Sequence, residues 1–335
     1  MLNSIGEVTP QALLAEEKSI AENLEIKSID DALYFPKFVQ IETTRVCNAK
    51  CPFCAIDVWD KSTPMMSDAL FSKIVEEIKG YADWIRWVCI QKAGEPLLDK
   101  KIGKRIRSVK DAGIKHVNLS TNASLLSEKK GRELIEAGLD EIMFSIDAIG
   151  KEEYEKMRVG LNYETVIQNI QTFFRLRDEM NPKMIIRIRG VSFFNLEKEE
   201  ERRQLEQWEK FWTPLIGSQD RVYMKRAHDW GNQKSWEGHT QSYGDCFHPC
   251  IIPWSTITIS AMGIVGLCVQ DYDSAMNLGD INTQSIKEVW NSEGWNKIRQ
   301  LHRTGNRNEQ PLCRGCRLYD KQHSLEKENV ILRGL

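Results

Sequence analysis

Cys47, Cys51 and Cys54 fall within the eight residues Cys47, Asn48, Ala49, Lys50, Cys51, Pro52, Phe53 and Cys54. A second, more dispersed set follows late in the chain: Cys250, Cys268, Cys313 and Cys316, with 17, 44 and two residues between successive members. Thiolates grouped in this way suit soft metal ions or iron–sulfur clusters. The first set offers three ligands and lacks a fourth nearby, so one metal would keep an open position for a ligand. The second set offers four, a complete shell. From spacing alone a zinc site is nearly as good a reading of the second set as a cluster. For the first set, a zinc knuckle short of one ligand and a loop of reactive thiols also stay open.

The remaining chemistry is less patterned. Cys246, just ahead of Cys250, is a candidate hydrogen-atom donor, inert packing, or a ligand that exchanges with Cys250. Cys89, between Val88 and Ile90, reads as core. Arg187 and Arg189 alternate with Ile186 and Ile188, so both guanidinium groups leave one face of a strand. Pointing inward they would bind a carboxylate or phosphate bidentately; the competing reading is salt bridges that close the bottom of a barrel. Lys92, Lys225, Arg226, His228 and Asp229 follow strands and are candidates for the base that takes a proton from a carbon radical.

These residues need a scaffold, and the pattern supplies one. Apolar, β-branched runs alternate with amphipathic helical stretches from about Phe38 to Tyr223. Strands are expected at Phe38 to Thr43, Trp84 to Ile90, His116 to Ser120, Glu141 to Ser145, Met184 to Arg189 and Val222 to Lys225. Helices are expected at Asp68 to Lys79, Lys100 to Ala112, Ser127 to Ala137, Tyr163 to Arg177 and Glu197 to Phe211. Six such units make an α/β fold, a partial (β/α)6 TIM-like barrel, with its chemistry at the carboxyl ends of the strands. After about Gln241 the rhythm changes to a hairpin, Trp254 to Ser260 and Ile264 to Val269, then a helix from about Ser285 to His302. The expected division is an N-terminal extension over 1–36 with a helix at Pro10 to Leu24, a barrel over 37–240, and a small α+β domain over 241–335.

Bulk properties narrow the partners. With 46 basic and 48 acidic residues the formal charge is −2, which gives no single-sign field to drive binding to nucleic acid or an anionic membrane. A small molecule is the better substrate. Met1 to Glu17 contain no basic stretch followed by an apolar run, and no segment reaches the roughly 18 apolar residues of a span. The expectation is a soluble cytoplasmic protein. Nine cysteines, an odd number without an export signal, argue against a disulfide framework.

The first cysteine segment resembles the radical S-adenosylmethionine (SAM) family, whose spacing of three and then two intervening residues, with an aromatic before the last cysteine, it reproduces. The resemblance implies a 4Fe–4S cluster on Cys47, Cys51 and Cys54 that binds and cleaves SAM. It places Phe53 against the adenine, and Gly94 and Glu95, in Ala93-Gly94-Glu95-Pro96, at the methionine ammonium, with Ala93 where the family has a first glycine. Asn122, in Ser120-Thr121-Asn122, and Ser145 and Asp147, in Ser145-Ile146-Asp147, fall at the ribose and carboxylate contacts. Arg158 and Gly160, ahead of Asn162 and Tyr163, resemble the segment after the family's fourth strand.

The stretch from Cys250 to Cys316 resembles the auxiliary-cluster module called Twitch, a trimmed relative of the SPASM domain, with Trp254, Gly263, Asp271, Leu278, Gly279, Asp280 and Trp290 in its pattern. This implies one auxiliary 4Fe–4S cluster on Cys250, Cys268, Cys313 and Cys316. A single Twitch cluster is similar to that of the family's aminocyclitol alcohol dehydrogenases. The expected activity is therefore oxidation of a secondary alcohol on a sugar, nucleotide sugar or aminocyclitol, with reduced flavodoxin or ferredoxin as electron source. The alternatives are a carbohydrate epimerase using Cys246 as hydrogen donor, a peptide maturase, and a non-catalytic iron–sulfur or zinc-binding interaction protein.

Overall fold

The computed structural model describes residues 9–55, 59–192, 199–227, 230–233, 247–316 and 330–331. Six strands, β1 Phe38–Ile41, β2 Trp87–Cys89, β3 Val117–Thr121, β4 Glu141–Ser145, β5 Ile185–Ser192 and β6 Arg221–Arg226, lie in parallel and in chain order. The helices α2 Asp68–Lys79, α3 Ile102–Asp111, α4 Glu128–Glu136, α6 Tyr163–Met180 and α7 Glu199–Trp212 connect them, as alternating patterning demands. The sheet does not close on itself, so the fold is an open, partial TIM-like barrel.

Strand parity explains the two faces. Val88, Val117, Leu119, Ile142, Phe144, Ile186 and Ile188 are at most 1% exposed, each worth roughly 1.5–3 kcal/mol of burial. Residues one step out of phase, including Gln40, Arg187 and Arg189, face the other side, toward the barrel interior. Polar caps start the covering helices: Ser67 before α2, Ser127 before α4 and Asn162 before α6 each accept a hydrogen bond from the first turn. At the end of the barrel away from the strands' carboxyl ends, Arg177 forms a bidentate pair with Asp220 at 2.9 and 3.0 Å. Asp220 also accepts from the Ile186 and Gly217 amides at 2.8 Å.

The hairpin expected around Ala261, Met262 and Gly263 forms from β7 Thr256–Ile259 and β8 Ile264–Gly266. Gly263 turns it with φ +90°, where a Cβ would stand 2.5 Å from Asn282 Nδ2. The hairpin does not form a sheet of its own. β7 pairs in parallel with β1, and β9 Gly279–Asp280 extends the sheet beyond β8, while β10 Val330–Ile331 pairs antiparallel with β6. Both edges of the barrel sheet are thereby covered.

Several boundaries differ from the sequence reading. The second strand begins at Trp87, because Trp84 and Ile85 turn back on Tyr81 and the Trp84 indole donates to Phe35 O at 2.6 Å. A helix α5, Lys151–Met157, was not expected. The single helix expected from Ser285 to His302 is two, α9 Ile286–Trp290 and α10 Glu293–Arg303. Ser292 caps the second, and the break lets Trp290 and Trp295 pack together with centroids 4.8 Å apart. α1 Pro10–Leu24 packs Ile20 and Leu24 with Ile29, Ala32 and Trp254 around α8 Ile252–Ser255, and Arg303 pairs with Glu17 and Asp30 at 2.9 and 2.8 Å. The N-terminal segment thus braces the C-terminal region. No described helix is long and apolar enough to cross a membrane.

Candidate active site

The first cysteine loop leaves the carboxyl end of β1; Ala49 N–H donates to Cys47 Sγ at 3.4 Å, and further bonds do not involve the sulfurs. Lys50 N–H donates to Val159 O at 2.9 Å, Cys54 N–H to Cys51 O at 3.0 Å, and Asn122 Nδ2 to Asn48 Oδ1 at 2.9 Å. All three cysteines line one cavity, part of it open to solvent. Burial pushes the Cys47 thiol up to about 12, and Glu95, Cys51 and Cys54 add to the rise. Burial also raises Cys51, with Arg158 opposing it from 3.8 Å. Thiols held this high are poor free nucleophiles and ionise when a metal replaces the proton.

Among the described residues no three His, Cys, Asp or Glu side chains stand close enough together to hold a single metal ion. The Cys47, Cys51 and Cys54 sulfurs nevertheless act electrostatically on one another. That arrangement suits thiolates that each take a different iron of one cluster, and it fits a zinc ion less well.

Next to the cysteines, the loop after β2 carries Ala93, Gly94 and Glu95. A Cβ on Gly94 would lie 2.3 Å from Thr44 O and 2.7 Å from Val46 O, so only glycine allows the two loops to touch. Ala93 has no positive φ, and that position therefore makes no such demand. Glu95 is 3% exposed. Its carboxylate accepts from Thr121 Oγ1 at 2.6 Å, Asn122 N–H at 2.8 Å and Leu97 N–H at 3.1 Å. Burial raises its pKa, and these bonds pull the other way. A buried carboxylate aimed into a cavity is a ready partner for an ammonium group.

Across the cavity, Ser145 Oγ lies 3.3 Å from Ser120 Oγ. Arg158 engages both oxygens of Asp147, at 2.5 and 3.0 Å, and its guanidinium lies 5.3 Å from the Phe53 ring centre. Asp147 sits behind Arg158 and does not itself line the cavity. Lys92, Arg189 and Thr121 do line it, as do Trp230, Gln91 and Val191, which sequence reading did not single out for the site. Arg187 stands apart, paired with Glu141 at 2.7 Å. His228, Asp229 and Cys246 lie outside the described residues, as do the side chains of Lys225 and Arg226. Cys89 is buried and its thiol is pushed up to about 12 by burial.

Cys268, Cys313 and Cys316 of the second set lie within electrostatic reach of one another, and Cys268 within reach of the cavity residue Lys92. Burial raises the Cys268 thiol, and Cys313 and Cys316 raise it further. Asp271, fully buried, accepts from Leu267, Ala275 and Met276 amides and so shapes the loop after Cys268. Arg307 donates to His248 O at 2.6 Å and to Cys316 O, which ties the segment before Cys250 to the Cys313–Cys316 turn. Cys250 N–H donates to His302 Nδ1 at 3.0 Å. Lys92 joins the two sites: its ammonium donates to Ser274 Oγ at 3.1 Å and feels Glu42, Asp271 and Cys268. Nothing in the sequence marked Arg307 or His302, because their partners are set by packing alone.

Comparison with known proteins agrees with this layout. Residues 41–200 match the Radical SAM superfamily, and residues 250–317 match an iron–sulfur cluster-binding domain of the SPASM type. A probable GTP 3′,8-cyclase of Methanococcus maripaludis is 35% identical over 133 residues, covering 39% of this chain and 43% of that protein. A tungsten-containing aldehyde ferredoxin oxidoreductase cofactor-modifying protein of Pyrococcus furiosus is 29% identical over 113 residues, covering 34% and 31%. The match thus spans less than half the length of these curated relatives. BtrN in complex with AdoMet and 2-DOIA superposes with a TM-score of 0.56 at 17% identity, over 83% of this chain and 92% of BtrN. SuiB of Streptococcus suis, bound to its precursor peptide SuiA, gives 0.63 at 14% identity over 89% and 74%. At such identities the likeness is one of fold.

Proposed function

Because this chain is a radical SAM enzyme with a SPASM iron–sulfur domain in its C-terminal region, we propose that it oxidises a secondary alcohol of a sugar, nucleotide sugar or aminocyclitol to a ketone. The observation that carries this reading is the shared wall at Lys92, which lines the cavity of the first three cysteines and is bonded to the loop that follows Cys268. An electron-accepting centre on that side would adjoin the substrate. When bound, SAM and the two 4Fe–4S clusters supply the radical chemistry, removing a hydrogen atom from the carbinol carbon and accepting the electron left after deprotonation.

The chain's own residues divide the remaining work. Cys47, Cys51 and Cys54 hold the catalytic cluster, and Cys250, Cys268, Cys313 and Cys316 the auxiliary one. Glu95 receives the methionine ammonium. Lys92 Nζ takes the hydroxyl proton, a role favoured because burial lowers its pKa, although Glu42 and Asp271 pull in the opposite direction. Reduced flavodoxin or ferredoxin belongs to the same proposal as electron donor.

The test is an anaerobic incubation of the reconstituted protein with SAM, dithionite and a panel of sugars, nucleotide sugars, aminocyclitols and GTP. The expected result is 5′-deoxyadenosine together with a product about two mass units lighter than one panel member. Lys92→Met should still form 5′-deoxyadenosine while ketone falls roughly 100-fold or more. A product of unchanged mass in ordinary water that gains one deuterium in heavy water, lost in Cys246→Ala, would mean epimerisation and sink the oxidation reading. A cyclised GTP would overturn it as well.

A further inference from the structure

Among the described residues, three basic side chains line the reaction cavity, Lys92, Arg158 and Arg189, against one carboxylate, Glu95. Arg158 is matched by Asp147 on two bonds. Lys92 has Glu42 and Asp271 within electrostatic reach. Arg189 is different. It leaves the inner face of β5 between the strand partners Ser145 and Tyr223, half-buried. Among the described residues it has neither a side-chain hydrogen bond nor a carboxylate partner. Of the fully buried arginines, Arg45 is matched with Glu42, Arg105 with Asp99 and Arg177 with Asp220, whereas Arg299 and Arg307 donate to backbone carbonyls. Arg187, two positions earlier on the same face, is spent on Glu141.

A guanidinium cannot discharge itself by losing a proton, and enclosing it without an anion is costly. Its planar fork of donors matches a phosphate or carboxylate. We infer that Arg189 anchors an anionic group of the substrate, so that the cavity takes a phosphorylated or acidic sugar derivative and rejects an aminocyclitol. This rests on the cavity being the reaction site proposed above. A cationic amine placed there would meet like charge instead of a partner.

The methionine carboxylate of SAM is the other possible source of the anion, and geometry speaks against it. Glu95, the residue proposed for the SAM ammonium, follows β2 and bonds to Thr121 and Asn122 at the end of β3. Arg189 stands two strands further along the sheet, on β5, at about 4.8 Å per strand.

Calorimetry on the full reconstituted chain decides between the sources. The titrants are SAM alone and then, with SAM present, UDP-glucose, glucose 6-phosphate, pyrophosphate and streptamine. At least one phosphate probe should bind, and streptamine should not. Arg189→Met should weaken the phosphate probe roughly 10- to 100-fold, with partial recovery in Arg189→Lys, while SAM affinity changes less than about threefold. If Arg189→Met loses iron on reconstitution, wild type against Arg189→Lys carries the comparison. A fall in SAM affinity equal to that of the probe would give Arg189 to the methionine carboxylate and overturn the inference. So would phosphate binding that ignores residue 189, or a wild type that binds none of the phosphate probes. Arg189-dependent phosphate binding without any ketone product would retire the oxidation reading and leave this one standing.

Discussion

Replacing Cys47, Cys51 and Cys54 together by alanine is expected to leave about half the iron of the reconstituted protein, roughly four of eight atoms per chain, and no detectable 5′-deoxyadenosine under dithionite. The loop should survive the change. The long bonds of Ala49 N–H to Cys47 and Arg158 to Cys51 are lost, whereas Lys50 N–H to Val159 O, Asn122 to Asn48, and the close approach of Gly94 to Thr44 and Val46 need no sulfur. Loss of cleavage would therefore report lost ligands and not a lost fold, and an unchanged circular dichroism spectrum checks that. Retained cleavage would refute the assignment of these cysteines. A wild type with about four irons and one zinc would instead move the Cys250 to Cys316 set from a cluster to a zinc site.

How much of this was legible beforehand depends on how far apart in the chain the cooperating residues lie. The first cysteine set reads clearly because its members are neighbours in sequence, and the strands read clearly where largely apolar runs such as Ile142 to Phe144 and Ile185 to Ile188 stand between helical stretches. Local chemistry also sets the limits of that reading. Trp84 belongs to an apolar run but spends its indole on Phe35 O, so the strand starts later. Ser292 looks like one polar residue on a helix face until its hydroxyl caps a new turn at Trp295.

The coupling of the two cysteine sites was not legible at all. Lys92 and Ser274 are 182 positions apart, and Glu42 meets Ala261 across 219. Such pairs follow from β7 joining β1, a pairing that no local pattern announces. The two arginines of β5 make the same point. Parity put both on one face, but only the register that brings Glu141 to Arg187 separates a structural arginine from one left in the cavity.

Glu95→Gln is expected to weaken SAM binding roughly 10- to 100-fold while changing the stability of the SAM-free protein by no more than about 1 kcal/mol at pH 7. Two opposing effects are involved. Burial raises the carboxyl's pKa above its ordinary 4.5. A group with a raised folded pKa contributes stability that is fully present below the unfolded value and is lost as pH rises through the folded one. At neutral pH the ionised Glu95 is thus a cost to the empty protein, and an amide removes it. Against this gain, the amide presents an N–H to either Asn122 N–H or Leu97 N–H, leaving one backbone donor unmatched. Glu95→Ala has no such balance. It strands both amides in a buried site, a loss of about 2–6 kcal/mol. Urea unfolding of the two variants should separate them in that order, although both bind SAM poorly. The cofactor's ammonium relieves the buried charge in the wild type, so the thermal stabilisation given by SAM should grow as pH rises through the raised carboxyl pKa. In Glu95→Gln that pH dependence should vanish. If Glu95→Gln bound SAM as the wild type does, the ammonium would have to be held elsewhere, and the charge at Glu95 would be left without a purpose that offsets what it costs the fold.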